Sequence, residues 1–211
     1  MAIVVPAILT DDENIYHDNL LKAEHVTNLV QVDIVDGKFA ANKTIGPATV
    51  AKFLTNANLE AHLMVKYPLN FVDDLVKIEH VSKIIFPYEI EGNHHDYIYQ
   101  VKNNLKQVGL SINPGTPIEA ILHLLDDLDM LLVLGVEPGR QGQEFKEEVL
   151  DKIRAVKKIA PGLPVELDGG LRFENVSNIK EAGVDFIAAG SILYKADDFF
   201  VAWEKLTKLA A

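Results

Sequence analysis

The sequence predicts an α/β fold, a single (β/α)8 TIM barrel, and three observations lead there. Eight short apolar runs alternate with stretches of helical periodicity along 211 residues, a length at which parallel barrels occur. The run Met130 to Val136 is continuously apolar, the signature of a strand covered on both faces. No linker or low-complexity stretch interrupts the alternation, so residues 1–211 read as one barrel domain, with a doubly wound open sheet as the lesser alternative.

The first strand is Ile3 to Leu9. Thr10-Asp11-Asp12-Glu13 then has the spacing of a capping box, opening a helix that runs to about Lys22. Leu29 to Ile34 is the second strand, followed by a long loop and a short helix over Ala48 to Leu54. Leu59 to Val65 is the third strand, Phe71 to Ile78 a helix, and Lys83 to Phe86 a fourth strand ended by Pro87, which has no N–H to give a ladder. A helix near Asp96 to Lys106 leads through Gly109 to the strand Leu110-Ser111-Ile112. Thr116-Pro117-Ile118-Glu119 combines an N-cap, a proline at the first helical position and a box glutamate, so a helix with the stripe Ile118, Ile121, Leu122 and Leu125 is expected there. Val149, Ile153, Val156 and Ala160 mark the next helix, stopped by Pro161-Gly162. Pro164 to Leu167 and Phe186 to Ala189 are strands seven and eight. Val176, Ile179 and Ala182 stripe the helix between them, and Asp198 opens the last helix.

Composition narrows the chemistry. No apolar stretch approaches the roughly 20 residues of a membrane span, and no export signal is visible at Met1 to Leu9, so a soluble, cytoplasmic protein is expected. With no cysteine, thiolate metal sites and cysteine nucleophiles are excluded, and a metal would rest on His, Asp, Glu or amide oxygen. The net charge of −11 disfavours a nucleic-acid partner, whose binding is driven by lysine and arginine. An anionic small substrate remains compatible, because backbone N–H groups bind phosphate whatever the overall charge. The apolar helix faces suit a monomer or a homo-oligomer alike.

In a barrel the site lies where each strand meets its following loop. Along the second strand the period of two puts Gln31, Asp33 and Val35 on one face. Two acids, Asp33 and Asp36, stand in this apolar setting, where carboxyl pKa values tend to be perturbed. Strand three offers His62, strand six leads to Glu137-Pro138-Gly139, strand seven ends in Asp168-Gly169-Gly170, and strand eight closes on Gly190-Ser191. A lone strand histidine is more often a hydrogen-bonded core residue than a ligand, so the signal lies in the joint placement. Gly142, Gly170, Gly190 and Ser191 fall in the loops after strands six to eight, where barrels bind phosphate through closely approaching backbone N–H groups. The pair His94-His95 diverges on a helix and reads as solvated.

Across nearly its whole length the sequence resembles the ribulose-phosphate 3-epimerase family, through VDIVDGKFAAN, EAHLMV, LSINPGTPIEAI, VEPGRQGQEF, ELDGGL and AAGSILY. The resemblance implies a ribulose-phosphate-binding barrel and an isomerase of carbohydrate metabolism, in the pentose phosphate pathway. Its reaction interconverts D-ribulose 5-phosphate and D-xylulose 5-phosphate. It also implies one divalent metal ion (Zn, Fe, Mn or Co) beside two catalytic aspartates, corresponding to Asp33 and Asp168, with His62 as a further ligand. Phosphate and substrate contacts fall on Gly142, Gln143, Gly169, Gly170, Gly190 and Ser191. The alternatives in view are an epimerase of another ketose phosphate and a phosphosugar-binding protein without turnover.

The match departs from the family pattern in the site itself. Gln31 stands where the family has a first histidine ligand, and its neutral carbonyl would favour oxygen-tolerant ions over zinc. Ala7 replaces a serine, Val35 a methionine and Pro87 a histidine, while Arg140 and Gln141 stand where the lid loop carries an aromatic and a glycine. Reduced or altered activity is the expectation. A related decarboxylase is disfavoured, because Lys66 follows Val65 in the wrong context for a lysine between acids.

Overall fold

A computed structural model describes residues 1–138 and 143–211. Eight strands, β1 (Ile3–Ile8), β2 (Leu29–Val35), β3 (Asn58–Met64), β4 (Val81–Pro87), β5 (Gln107–Ile112), β6 (Met130–Leu134), β7 (Val165–Asp168) and β8 (Phe186–Ala189), form a closed parallel barrel in sequence order. The closing seam pairs Ile3 of β1 with Phe186 of β8, and on its other side β1 pairs Ala7 with Gln31 of β2. Among the described residues, eight α-helices cover the barrel: α1 (Glu13–Glu24), α2 (Pro47–Lys52), α3 (Pro68–Leu75), α4 (His94–Asn103), α5 (Val149–Ile159), α6 (Val176–Glu181), α7 (Ser191–Tyr194) and α8 (Phe199–Ala210).

Period-two alternation splits each strand between two cores. Outward residues such as Val32, Ile34, Leu59, Leu63 and Ile84 are buried under the helices, in one cluster with Tyr16, Leu20, Ile153 and Leu206. Each fully buried leucine or isoleucine there contributes about 1.5–3 kcal/mol. Inward residues Ile85, Met130, Leu132 and Leu134 make a second, smaller cluster with Phe186.

Helix starts follow the strongest available acceptor. Asp12, rather than Thr10, caps α1: its carboxylate accepts from the N–H groups of Asn14 (2.7 Å) and Ile15 (3.2 Å), while the Thr10 hydroxyl accepts from Asp12 N–H. A charged oxygen at the cap outcompetes a hydroxyl. Asp198 caps α8 as its sequence predicts.

The helix expected after Thr116 is corrected by the structure. Pro117 is extended, and two 3-10 helices follow, Ile118–Ala120 and Leu122–Asp127. The Thr116 hydroxyl donates to Glu89 instead of capping. With three residues per turn, burial follows Ile118, Ile121 and Leu124, and Leu122 from the expected stripe is 43% exposed. Strand six also stops two residues early, at Leu134, because Gly135 turns across the barrel top. Its N–H donates to Asp168 O (2.7 Å), and its carbonyl accepts from Lys146 N–H (2.9 Å).

Beneath the open end, three ionisable side chains share the barrel interior. Lys83 Nζ donates to Glu60 Oε2 at 2.9 Å, and all three of Glu60, Lys83 and Glu166 are buried. Burial, then the charge of Glu60, push the Glu166 carboxyl well above its ordinary range, against the pull of Lys83. Both carboxyl oxygens of Glu166 and the second carboxyl oxygen of Glu60 are buried without a hydrogen-bond partner among the described residues.

Candidate active site

Two neighbouring strands, β2 and β3, and one from across the barrel, β7, converge. Register puts Asp33 beside His62 and Asp168 between Leu134 and Ala188, and alternation turns Gln31, Asp33, His62 and Asp168 inward. Gln31, Asp33 and His62 are buried, and Asp168 is half-buried. His62 Nδ1 lies 3.2 Å from Asp33 Oδ1 and 3.3 Å from Asp168 Oδ2. Gln31 Nε2 donates to the same two oxygens, at 2.7 and 2.9 Å. The result is a closed four-atom ring in which carboxylate oxygens alternate with nitrogens.

Electrostatics follow from burial and proximity. Burial, reinforced by the charge of Asp168, raises the Asp33 carboxyl to about 6, although His62 and Gln31 pull the other way. For His62, burial alone would disfavour the imidazolium. Hydrogen bonds and charge from Asp168 and Asp33 outweigh it and raise the ring to about 9. Within these four side chains, Gln31 Oε1 and His62 Nε2 are buried without a partner among the described residues.

Asp33, His62 and Asp168 each offer one ligand atom, all within 4.8 Å of one another. Donors 3.2–3.3 Å apart are compatible with a common ion at the roughly 2.0–2.2 Å bond lengths of nitrogen and carboxylate ligands. These three residues fit a divalent cation. Gln31 turns its NH2 toward the ring, so its carbonyl is not presented as a ligand.

One support escaped the sequence reading. Thr44, from the loop after β2, receives Val35 N–H (2.9 Å) and donates to the carbonyl of Asp33 (2.7 Å), fixing the strand end that carries the acid. Thr44→Val should leave that N–H and carbonyl unpaired and destabilise the fold by about 1–3 kcal/mol, read as a lower urea midpoint. Nothing local distinguishes this threonine, since its partners lie nine and eleven residues back. Asp36 faces away from the ring. Its carboxylate accepts from the N–H groups of Lys38, Phe39 and Lys66, and although burial works to raise it, those bonds hold it below the ordinary carboxylate range.

One cleft joins the acids to the glycine loops, lined by Asp33, Met64, Asp168, Gly170, Gly190 and Ser191 among others. Ala7 and Gly169 line the same cleft, and Gln143 lies in a neighbouring depression with Gly170 and Ser191, its amide donating to Glu137 O at 2.7 Å. Gly142, Arg140 and Gln141 lie outside the described residues. Val35 and Pro87 are buried at their strand ends.

Gly170 has φ +75°, and a Cβ there would sit 2.8 Å from the Cα of Phe145. Gly170→Ala therefore strains its own backbone and pushes against the neighbouring loop. We expect a loss of stability of about 1–3 kcal/mol, checked as a lower urea midpoint.

The ribulose-phosphate 3 epimerase family matches residues 3–194. Curated relatives named ribulose-phosphate 3-epimerase include that of Schizosaccharomyces pombe, 34% identical over 92% of this chain and 87% of its own, and that of Bacillus subtilis, 33% identical over 92% and 93%. The Mycobacterium tuberculosis protein of the same name is 35% identical over 93% and 87%. Solved structures share the fold at low identity. A tryptophan synthase α-subunit from Pyrococcus furiosus superposes with TM-score 0.73 at 16% identity, over 98% of this chain and 97% of its own. For 3-hexulose-6-phosphate synthase from Salmonella typhimurium the values are 0.69 and 15%, over 99% and 98%. The ring of acids, the glycine loops and the matched length lead to one conclusion: this chain belongs to the ribulose-phosphate 3-epimerase family.

Proposed function

We propose that the protein is an isomerase that interconverts D-ribulose 5-phosphate and D-xylulose 5-phosphate, by moving a proton at C3. The observation that carries this reading is the cleft that joins Asp33 and Asp168 to Gly170, Gly190 and Ser191. Inverting a carbon that bears a hydrogen requires removal of that proton from one face of the sugar and return of a proton on the other, which two acids on opposite strands can do and one cannot. One aspartate, as carboxylate, takes the C3 proton. The other, as carboxylic acid, delivers a proton to the opposite face, and the roles exchange in the reverse direction.

The phosphate is held by backbone N–H groups of the loops at Gly169, Gly170, Gly190 and Ser191, with Gln143 beside them, so that C3 lies over the acid pair. Among the cations considered, zinc, iron, manganese or cobalt, the ion would be held by Asp33, His62 and Asp168. When bound it supplies a positive charge that stabilises the enediolate oxygens. No helix among the described residues is long and apolar enough to cross a membrane. The assigned substrate is a small phosphorylated ketose, and a cytoplasmic setting is part of the same reading.

The test is incubation of ribulose 5-phosphate with the protein in D2O, following C3 by proton NMR and xylulose 5-phosphate by a coupled assay. Deuterium at C3 together with the epimer is expected. Thermal stabilisation by the sugar phosphate with neither exchange nor epimer, with every common divalent ion added in turn, would establish a binding protein instead.

A further inference from the structure

We propose that Gln31 is a positioning residue that crosslinks the two carboxylates as a hydrogen-bond donor, leaving a three-ligand cation site of Asp33, His62 and Asp168. This deepens the epimerase reading and rests on it for the reaction, though not for the cation.

The amide group decides the matter chemically. Its nitrogen is conjugated with the carbonyl and has no lone pair to give an ion, so at 2.7 Å from Asp33 Oδ1 and 2.9 Å from Asp168 Oδ2 it can only donate. Both distances are typical of bonds to a charged acceptor. The opposite orientation would set the Gln31 carbonyl oxygen against two carboxylate oxygens. Nothing competes for the outward end, because Oε1 is buried without a partner. The carboxylates alone therefore fix the amide, and the amide in turn fixes their separation.

The neighbouring strand leaves room for this arrangement. Gln31 pairs in register with Ala7, a small and apolar residue that offers the amide no competing hydrogen bond. His62 completes the ring from the opposite corner, so each ligand oxygen is approached by one N–H of Gln31 and by the imidazole. A cation bound to the three ligands keeps Gln31 outside its coordination sphere, as a donor to oxygens already bound.

Three forms decide it: wild type, Gln31→Leu, which keeps bulk but cannot donate, and Gln31→His, which brings a lone pair to that corner. Zinc and cobalt(II) affinities are measured by chelator competition, the cobalt(II) visible spectrum reports the ligand set, and thermal melting confirms folding. Gln31→Leu should keep the wild-type cobalt(II) spectrum and lose no more than about 10- to 100-fold in cobalt(II) affinity, the effect of removing a support of bound ligands, while kcat falls roughly 10- to 100-fold and KM stays within about twofold. Gln31→His should tighten zinc by about tenfold or more and change the cobalt spectrum. An altered cobalt(II) spectrum in Gln31→Leu would make the amide oxygen a ligand and overturn the proposal. Unchanged kcat in Gln31→Leu overturns it as well. If wild type shows no turnover at all, the epimerase reading fails, and the affinity and cobalt arms alone decide this one.

Discussion

Asp33→Asn and Asp168→Asn are each expected to lower epimerisation by about 10²- to 10⁴-fold, the range over which a positioned proton acceptor or donor contributes. The amide cannot exchange a proton with C3, yet it keeps the size and much of the hydrogen bonding of the carboxyl. The two variants should differ in a telling way. If each acid serves one face, the variant that keeps the acid facing C3 of ribulose 5-phosphate will still exchange that hydrogen with solvent while failing to form the epimer. The other will do neither from that substrate. Measured from xylulose 5-phosphate, the pattern should reverse. Loss of exchange in both variants from both substrates would contradict the two-face assignment, as would retention of epimer formation near the wild-type rate.

Lys83→Met should destabilise the barrel by about 3–5 kcal/mol, the usual effect of removing one partner from a buried ion pair. Glu60 would remain in the interior with no cation at 2.9 Å and would have to take up a proton or draw water into the core. For a chain of this size the melting temperature should fall by roughly 6–20 °C. The double variant Lys83→Met/Glu60→Gln should regain part of that loss, because the amide carries no charge to leave unpaired. This non-additivity separates an electrostatic cause from lost packing against Met130 and Phe186. A melting point within about 2 °C of wild type would show that water already solvates Glu60.

The barrel was largely legible in the chain because its two periodicities are strong and regular. Runs such as Met130 to Leu134 cannot be amphipathic helices, and the stripe Val149, Ile153 and Val156 cannot be a strand. Boundaries failed where tertiary contacts overrode local chemistry. Thr116 has an ideal capping position, yet Glu89 from another loop takes its hydroxyl, and the following residues tighten into 3-10 turns. In the site, alternation alone put Gln31 and Asp33 on one face, the strand ends offered His62 and Asp168, and the family resemblance supplied their roles. The direction in which the Gln31 amide points was not legible, because it depends on Asp168, 137 residues away. The buried layer of Glu60, Lys83 and Glu166 was equally hidden: three charges on three separate strands look like three ordinary surface residues until closure brings them together.

Closure of the barrel has a consequence for how activity is gained and lost. The seam between β8 and β1 lies on the short path between the strands that bear the two acids, β7 and β2. Asp168 and Asp33 therefore reach their shared donor only once residues from the two ends of the chain have met, a step whose loop-closure entropy must be met before any native contact compensates. The seam is also tied to the chain ends, through Ala2 N–H to Ala210 O and Ile3 N–H to Asp185 O. Fraying of the C-terminal helix would loosen this path while the remaining pairings stay intact. Catalysis should then disappear ahead of secondary structure during heating or trimming by carboxypeptidase, which makes turnover a more sensitive reporter of chain-end integrity than circular dichroism.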